Sequence, residues 1–247
     1  MPLTHAQPVS YRSIMITALL FLLASALSHQ SGLDLWLASS IYQLEGGNNG
    51  KFPWTDNYWL SQILHDDGRR LVASMFFITL TTFIASWFAD KLRPYRSGLL
   101  FILLAIFWST ALIAEFKRLN NISCPNALQM FGGDRQWINF WQPFSANLPV
   151  GKCYPAGHAS GGYAWLAIVF LAPTGSHKAF WYAIPGLMLG MTLGIAQQLR
   201  GQHFFAHDLA TIGFCWLISG SLYHLMRRIY LRSRQTSGDA TLACSRN

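Results

Sequence analysis

The chain is broken into apolar runs, and its charged side chains gather in the gaps between them. The runs fall at residues 14–27, 71–89, 98–114, 158–172, 179–199 and 209–226. A helix needs about 20 apolar residues to cross the ~30 Å hydrocarbon core of a bilayer, where every backbone N–H and C=O must be bonded within its own segment. The pattern therefore predicts an all-α polytopic membrane helix bundle of about six transmembrane helices. Composition agrees. Charged residues make up 11% of the chain and hydrophobic residues 52%, with 10 Trp, a balance that suits lipid contact and aromatic belts.

The first run, followed by Ala24-Ser25-Ala26, also has the outline of a signal peptide. The six-run count favours an uncleaved first helix. Six spans put both termini on one side. The basic loop at residues 90–96, Lys178, and the arginines Arg227, Arg228, Arg232 and Arg234 lie on that side, which the positive-inside rule makes cytoplasmic. Residues 117–157 and 200–208 then share the opposite face. The expected location is a bacterial-type inner (plasma) membrane with the active site external or periplasmic. The net charge of +8 belongs to these flanks. No basic run interleaved with aromatics points to nucleic acid.

The chain reads as a single domain, 1–247, with a motif-bearing core at 99–226 and a disordered tail after 233. Residues 32–44 read as an interfacial helix. The acids of Asp66-Asp67-Gly68-Arg69-Arg70 are able to bind a metal, but the favoured reading is a solvated helix end or acids paired with Arg69 and Arg70. Oligomeric state is left open.

On the predicted external face three polar clusters sit at the ends of apolar runs. The first is Lys117 through Cys124-Pro125. The second is Pro155-Ala156-Gly157-His158, followed by small residues that include Ser160. The third is Arg200 through Asp208, with His203 and His207. Several imidazoles, cations and a carboxylate converge with no nucleophilic serine motif. That inventory suits phosphoryl transfer through histidine: one imidazole attacks phosphorus, another protonates the leaving oxygen, and cations hold the equatorial oxygens.

These clusters resemble the motifs of the membrane-bound type 2 phosphatidic acid phosphatases, a family also similar at its site to the vanadium haloperoxidases. The family's first motif is Lys, six residues, then Arg-Pro; here Lys117 is followed by six residues and Cys124-Pro125. Its second, Pro-Ser-Gly-His, reads Pro155-Ala156-Gly157-His158. Its third is Ser-Arg, five residues, His, three residues, Asp. Aligned on His203, the Ser-Arg places hold Ala196-Gln197, the Asp place holds His207, and Asp208 comes one residue late. The resemblance covers about residues 99–226.

It implies an integral membrane phosphatase acting on a lipid phosphate or diphosphate, with no metal or other cofactor and a membrane lipid as partner. It implies His203 as nucleophile, His158 as general acid and then base, and Lys117 as a phosphate ligand beside Gly157. Arg200 and Arg135 are candidates to replace the two missing arginines, and Ser160 the hydroxyl lost at Ala156. Arg200 fills its place only if its segment is helical. His203 needs an acceptor on its far nitrogen. His207 is favoured; a one-residue helix bulge bringing in Asp208, or a backbone carbonyl, are the alternatives.

Three other readings stay open. A lipid phosphotransferase of the same fold would pass the phosphoryl group to a lipid acceptor. A metal-dependent hydrolase would use His203 and His207 with Asp208 and His158. A transporter or binding protein would use the polar clusters to hold a lipid head group. Cys124 and Cys153 both fall in the external loop, where oxidising conditions permit a disulfide.

Overall fold

The computed structural model describes residues 9–48, 50–141, 150–173 and 179–244, with 179 and 234–244 described through their backbone only. It is helical, and among the described residues no strand forms; Leu128 and Arg135 pair in an isolated bridge. The helices are α1 Tyr11–Gln30, α2 Leu33–Leu44, α3 Gly68–Ala85, α4 Arg96–Arg118, α5 Gly157–Tyr163, α6 Ala179–Leu199 and α7 Phe205–Cys244. A π-helical segment, Trp59–Asp67, runs directly into α3, and a 3₁₀ segment, Ala164–Leu171, continues α5. The tail after residue 233, read from the sequence as disordered, lies outside the residues described with side chains.

Among the described residues, four helices are long and apolar enough to cross a membrane: Tyr11–Gln30, Trp59–Ala85, Asp90–Arg118 and Phe205–Ser233. The other two apolar runs form α5 with its 3₁₀ continuation, and α6. The 3₁₀ segment is mostly buried, whereas α3 has no buried residue. Helix α5 and its continuation thus form the centre of the bundle and α3 its outer wall.

Between lipid-exposed helices the hydrophobic effect gives little net attraction, so close contact at small residues has to supply it. The glycines show where that happens. A Cβ at Gly220 of α7 would press on Ile14 of α1 at 2.7 Å, and one at Gly213 would lie 3.2 Å from the Ala18 carbonyl. A Cβ at Gly162 of α5 would enter the backbone of α6 at Gly190. Phe101, Phe170, Tyr223 and Ile14 fill the space these approaches enclose. Leu19, Leu20, Leu23 and Leu27 of α1 and Phe77 and Ile78 of α3 stay exposed on the outside.

The helix starts and stops follow local chemistry. The Ser10 hydroxyl caps α1 by accepting from the Ser13 N–H at 3.0 Å, which satisfies one of the orphan donors of a helix N-terminus. Gly32, at φ +80°, turns the chain into α2. α2 carries Asp34 back under the start of α7, where its carboxylate accepts from the Ala206 N–H at 3.0 Å and from the Ser28 hydroxyl at 2.8 Å. Asp34 is fully buried. One end of α7 is thereby fastened to the α1–α2 turn.

Candidate active site

Helix α6 ends at Leu199, and Gly201 takes φ +66°. A side chain is strained in that conformation, and here a Cβ would also run into the Phe52 ring. The chain then crosses to α7 without helix through residues 200–204. His203 sits in this crossing and His207 in the first turn of α7, and the turn brings their Nδ1 atoms to 3.2 Å. His207 is fully buried and His203 nearly so, at 7% exposure. The Cys153 sulfur lies 3.4 Å from the same His203 nitrogen. Cys153 is joined to Cys124, with 5.3 Å between the Cα atoms. Chiefly through burial, and then through the nearby Lys117 and His158 charges, His203 is held well below the ordinary imidazole pKa. It is therefore neutral near pH 7.

A cavity of about 560 Å³ opens in front of His203. Its polar wall holds Lys117, Lys152, Arg69, His65, His158, Gln197 and Gln202, and its apolar side includes Val72, Ala114 and Leu193. The lining contains three cations and no carboxylate among the described residues. Such a wall favours an anion, because charges in a partly desolvated cleft are screened far less than in bulk water.

Lys117 arrives from the last turn of α4 and lies against Gly157, where an added Cβ would stand 3.2 Å from its Nζ. The absence of a side chain at Gly157 therefore lets the ammonium approach the start of α5. His158 follows. Its Nε2 lies 3.3 Å from the Leu64 carbonyl, which can only accept. That contact puts a proton on Nε2 and leaves Nδ1 free to exchange one. The His158 ring leans on His65, with centroids 4.6 Å apart.

The remaining candidates divide. Ser160 lines the cavity, with its hydroxyl donating to the Gly157 carbonyl at 2.6 Å. Arg200 is not in the lining. Its segment is a turn and not the helix its substitution required, and its guanidinium donates to the Thr55 carbonyl at 2.8 Å and reaches Gln197 at 3.4 Å. Arg135 lines a separate recess with Leu128 and Trp137 and faces Asp134 at 3.6 Å. Asp208 points away from both imidazoles to accept from Gln198 of α6 at 2.6 Å. It packs so closely on α6 that a Cβ at Gly194 would collide with its carboxylate. The four-residue metal set of His203, His207, Asp208 and His158 is thus not assembled. The group that does converge is Cys153, His203 and His207, with ligand atoms within 4.8 Å of one another.

Sequence reasoning passed over His65, and it read Arg69 only as a partner for the neighbouring acids. Arg69 does lie 3.7 Å from Asp66, yet it also lines the cavity. A signal was available: the cluster at 65–70 precedes the second apolar run, on the same face as the other three.

No family model and no solved structure matches the chain. It is similar to the lipid A 4'-phosphatase of Francisella tularensis subsp. novicida (strain U112). The two are 26% identical over 196 residues, covering 77% of this chain and 82% of that protein.

Proposed function

We propose that the protein is an integral membrane phosphatase that removes phosphate from a lipid phosphate or diphosphate through a phosphohistidine at His203. The observation that carries this reading is the His203–His207 contact at 3.2 Å, set at the wall of a cation-lined cavity. The similarity to a lipid A 4'-phosphatase supports a lipid-linked phosphate as substrate.

Lys117, Arg69 and Lys152 hold the phosphoryl oxygens. His207 Nδ1 accepts the proton on His203 Nδ1, which leaves the lone pair of His203 on Nε2. That nitrogen attacks phosphorus as the bond from phosphorus to the lipid oxygen breaks. Burial holds the His158 pKa down at about 4, so it acts from its minor, doubly protonated form: Nε2–H stays on the Leu64 carbonyl and the Nδ1 proton passes to the departing oxygen. His158 then takes a proton from water, whose oxygen attacks the phosphohistidine and releases inorganic phosphate and neutral His203. No metal enters any of these steps. The lipid body lies against the apolar part of the lining, which includes Val72 and Ala114.

Purified protein in detergent should release phosphate from one or more of phosphatidic acid, phosphatidylglycerol phosphate, undecaprenyl diphosphate and lipid A, equally with and without EDTA. His203→Ala should abolish release, and His158→Ala should slow it by at least about a hundredfold when the leaving group is poor. Near-normal release by His203→Ala would rule the phosphohistidine out. The site is proposed to face outward, so a reporter fused after Pro94 should read as cytoplasmic.

A further inference from the structure

We infer that the Cys124–Cys153 disulfide masks a soft-metal site, formed by Cys153 with His203 and His207, that opens when the disulfide is reduced. The three groups come from separate places, the loop before α5, the α6–α7 crossing and the first turn of α7, yet they meet in one buried spot. Two of the three spacings match a tetrahedral ion, and the third, between His207 and the Cys153 sulfur, lies within 4.8 Å. With bonds of about 2.0–2.1 Å to nitrogen and about 2.3 Å to sulfur, tetrahedral geometry places two ligand nitrogens ~3.3 Å apart and a nitrogen and sulfur ~3.6 Å apart. The corresponding distances are 3.2 Å between the imidazole Nδ1 atoms and 3.4 Å from His203 Nδ1 to the Cys153 sulfur. Neutral imidazole and thiolate are the ligands that zinc and cobalt prefer.

In the disulfide, Cys153 has no thiolate to give. A dithiol reductant changes that: two electrons and two protons pass to the disulfide, the reductant is itself oxidised to a disulfide, and Cys124 and Cys153 become thiols. Zn²⁺ then displaces the Cys153 proton to water and bonds to that sulfur and to Nδ1 of each imidazole. Cys124 also borders the cavity, so the ion has a route in, and solvent supplies its fourth ligand. A metal on His203 Nδ1 takes the position of the proton that His207 accepts. Binding at this site and attack by His203 therefore compete.

The test is cobalt binding to the full-length protein in detergent, read by the thiolate-to-cobalt charge-transfer band and by metal analysis. A phosphine, removed before titration, is the laboratory reductant. Reduced wild type should take up a single equivalent of Co²⁺ with the band, and zinc should displace it. Cys124→Ser should bind without reduction, because its Cys153 is free. Oxidised wild type, reduced Cys153→Ser and reduced His207→Ala should lack the band. Circular dichroism checks each sample, and either reduced wild type or Cys124→Ser suffices as the positive arm. No band in either folded sample overturns the site. A band that persists in reduced Cys153→Ser places the metal on another thiol and also overturns it. The binding arms do not rest on the proposed phosphatase activity. Zinc should also cut phosphate release by the reduced protein at least about tenfold, leaving the oxidised protein unaffected, as expected when a ligand competes for the nucleophile.

Discussion

His207→Ala is the change that most directly tests how His203, the proposed nucleophile, is held. The imidazole of His207 lies 3.2 Å from Nδ1 of His203, and both rings are out of water. Removing it leaves the His203 Nδ1–H without its acceptor. A buried donor left unpaired costs about 1–3 kcal/mol, and a bond to a charged group is worth about 1.5–3 kcal/mol. The upper part of that range applies in the transition state, because the ring gains positive charge as Nε2 bonds to phosphorus. Loss of about 1.4–3 kcal/mol slows turnover about 10- to 150-fold.

Asp208→Asn sets the scale for comparison. Asn keeps an oxygen to accept from Gln198, and the carboxylate it replaces touches neither imidazole, so its effect should stay below about threefold. His207→Asp is the informative rescue: a carboxylate at 207 restores an acceptor and should recover part of the loss. The assay is phosphate release from a lipid phosphate in detergent at saturating substrate, with circular dichroism to confirm the fold. If Asp208→Asn proves the more damaging change and His207→Ala is nearly silent, the acceptor assignment is wrong and a locally rearranged α7 start is the better account.

Loss of a cavity cation should show in kcat/KM. Lys117→Ala and Arg69→Ala should each lower kcat/KM about 10- to 150-fold, the worth of a charge-assisted hydrogen bond to phosphate, whereas Arg135→Ala, in its separate recess, should change it less than about threefold in the same assay. Asp34→Ala should destabilise the protein by about 1–3 kcal/mol, because the Ala206 N–H loses its acceptor in a buried place; thermal unfolding in detergent reads this, and Asp34→Asn should recover part of it. Acid should also destabilise the fold through His203. Its folded pKa is depressed below the unfolded value of about 6.5, so the unfolded chain binds the extra proton first. Its contribution to stability is complete above about pH 6.5 and is lost as pH falls below that. Melting temperatures measured from neutral pH downward should show this decline, and His203→Gln should flatten it.

The helical runs were legible in the sequence because burial in lipid leaves a long apolar record that no soluble element needs. The meeting of Lys117, Gly157, His158 and His203 around one cavity was legible for a related reason: each stands at the end of such a run, and topology places those ends on one face. What the sequence concealed depends on local backbone geometry. The π-helical segment before α3 brings His65 under His158 and accompanies the placing of Arg69 on the cavity, and its composition does not distinguish it from an ordinary helix end. The reading of Arg200 assumed helix through residue 203, whereas Gly201 breaks the chain there and sends the guanidinium to Thr55. Asp34 left a weaker trace. A buried acid is costly unless something receives it, and although Ser28 is close in sequence, the Ala206 N–H that Asp34 holds lies 172 residues away.

On the proposed reading, the absence of the two arginines of the resembled family has a physical explanation in this cavity. A transferring phosphoryl group needs its charge met by donors that are already in place, and the requirement concerns where the charge stands, not which motif position supplies it. Here Gln197 occupies the wall where the third motif would place an arginine. Cationic charge enters the same wall from Arg69 at the start of α3 and Lys152 before α5. Arg69 is held loosely, with its side chain 69% exposed, whereas Lys117 is lodged against Gly157. A loose cation can follow a bulky phosphorylated head group as it enters, and a lodged one fixes the phosphorus against His203. The two should therefore fail differently: Arg69→Ala mostly in KM, because its contact forms as substrate arrives, and Lys117→Ala mostly in kcat, because its contact strengthens as charge develops. Equal effects of both changes on KM alone would mean that neither cation distinguishes the transition state from the bound lipid.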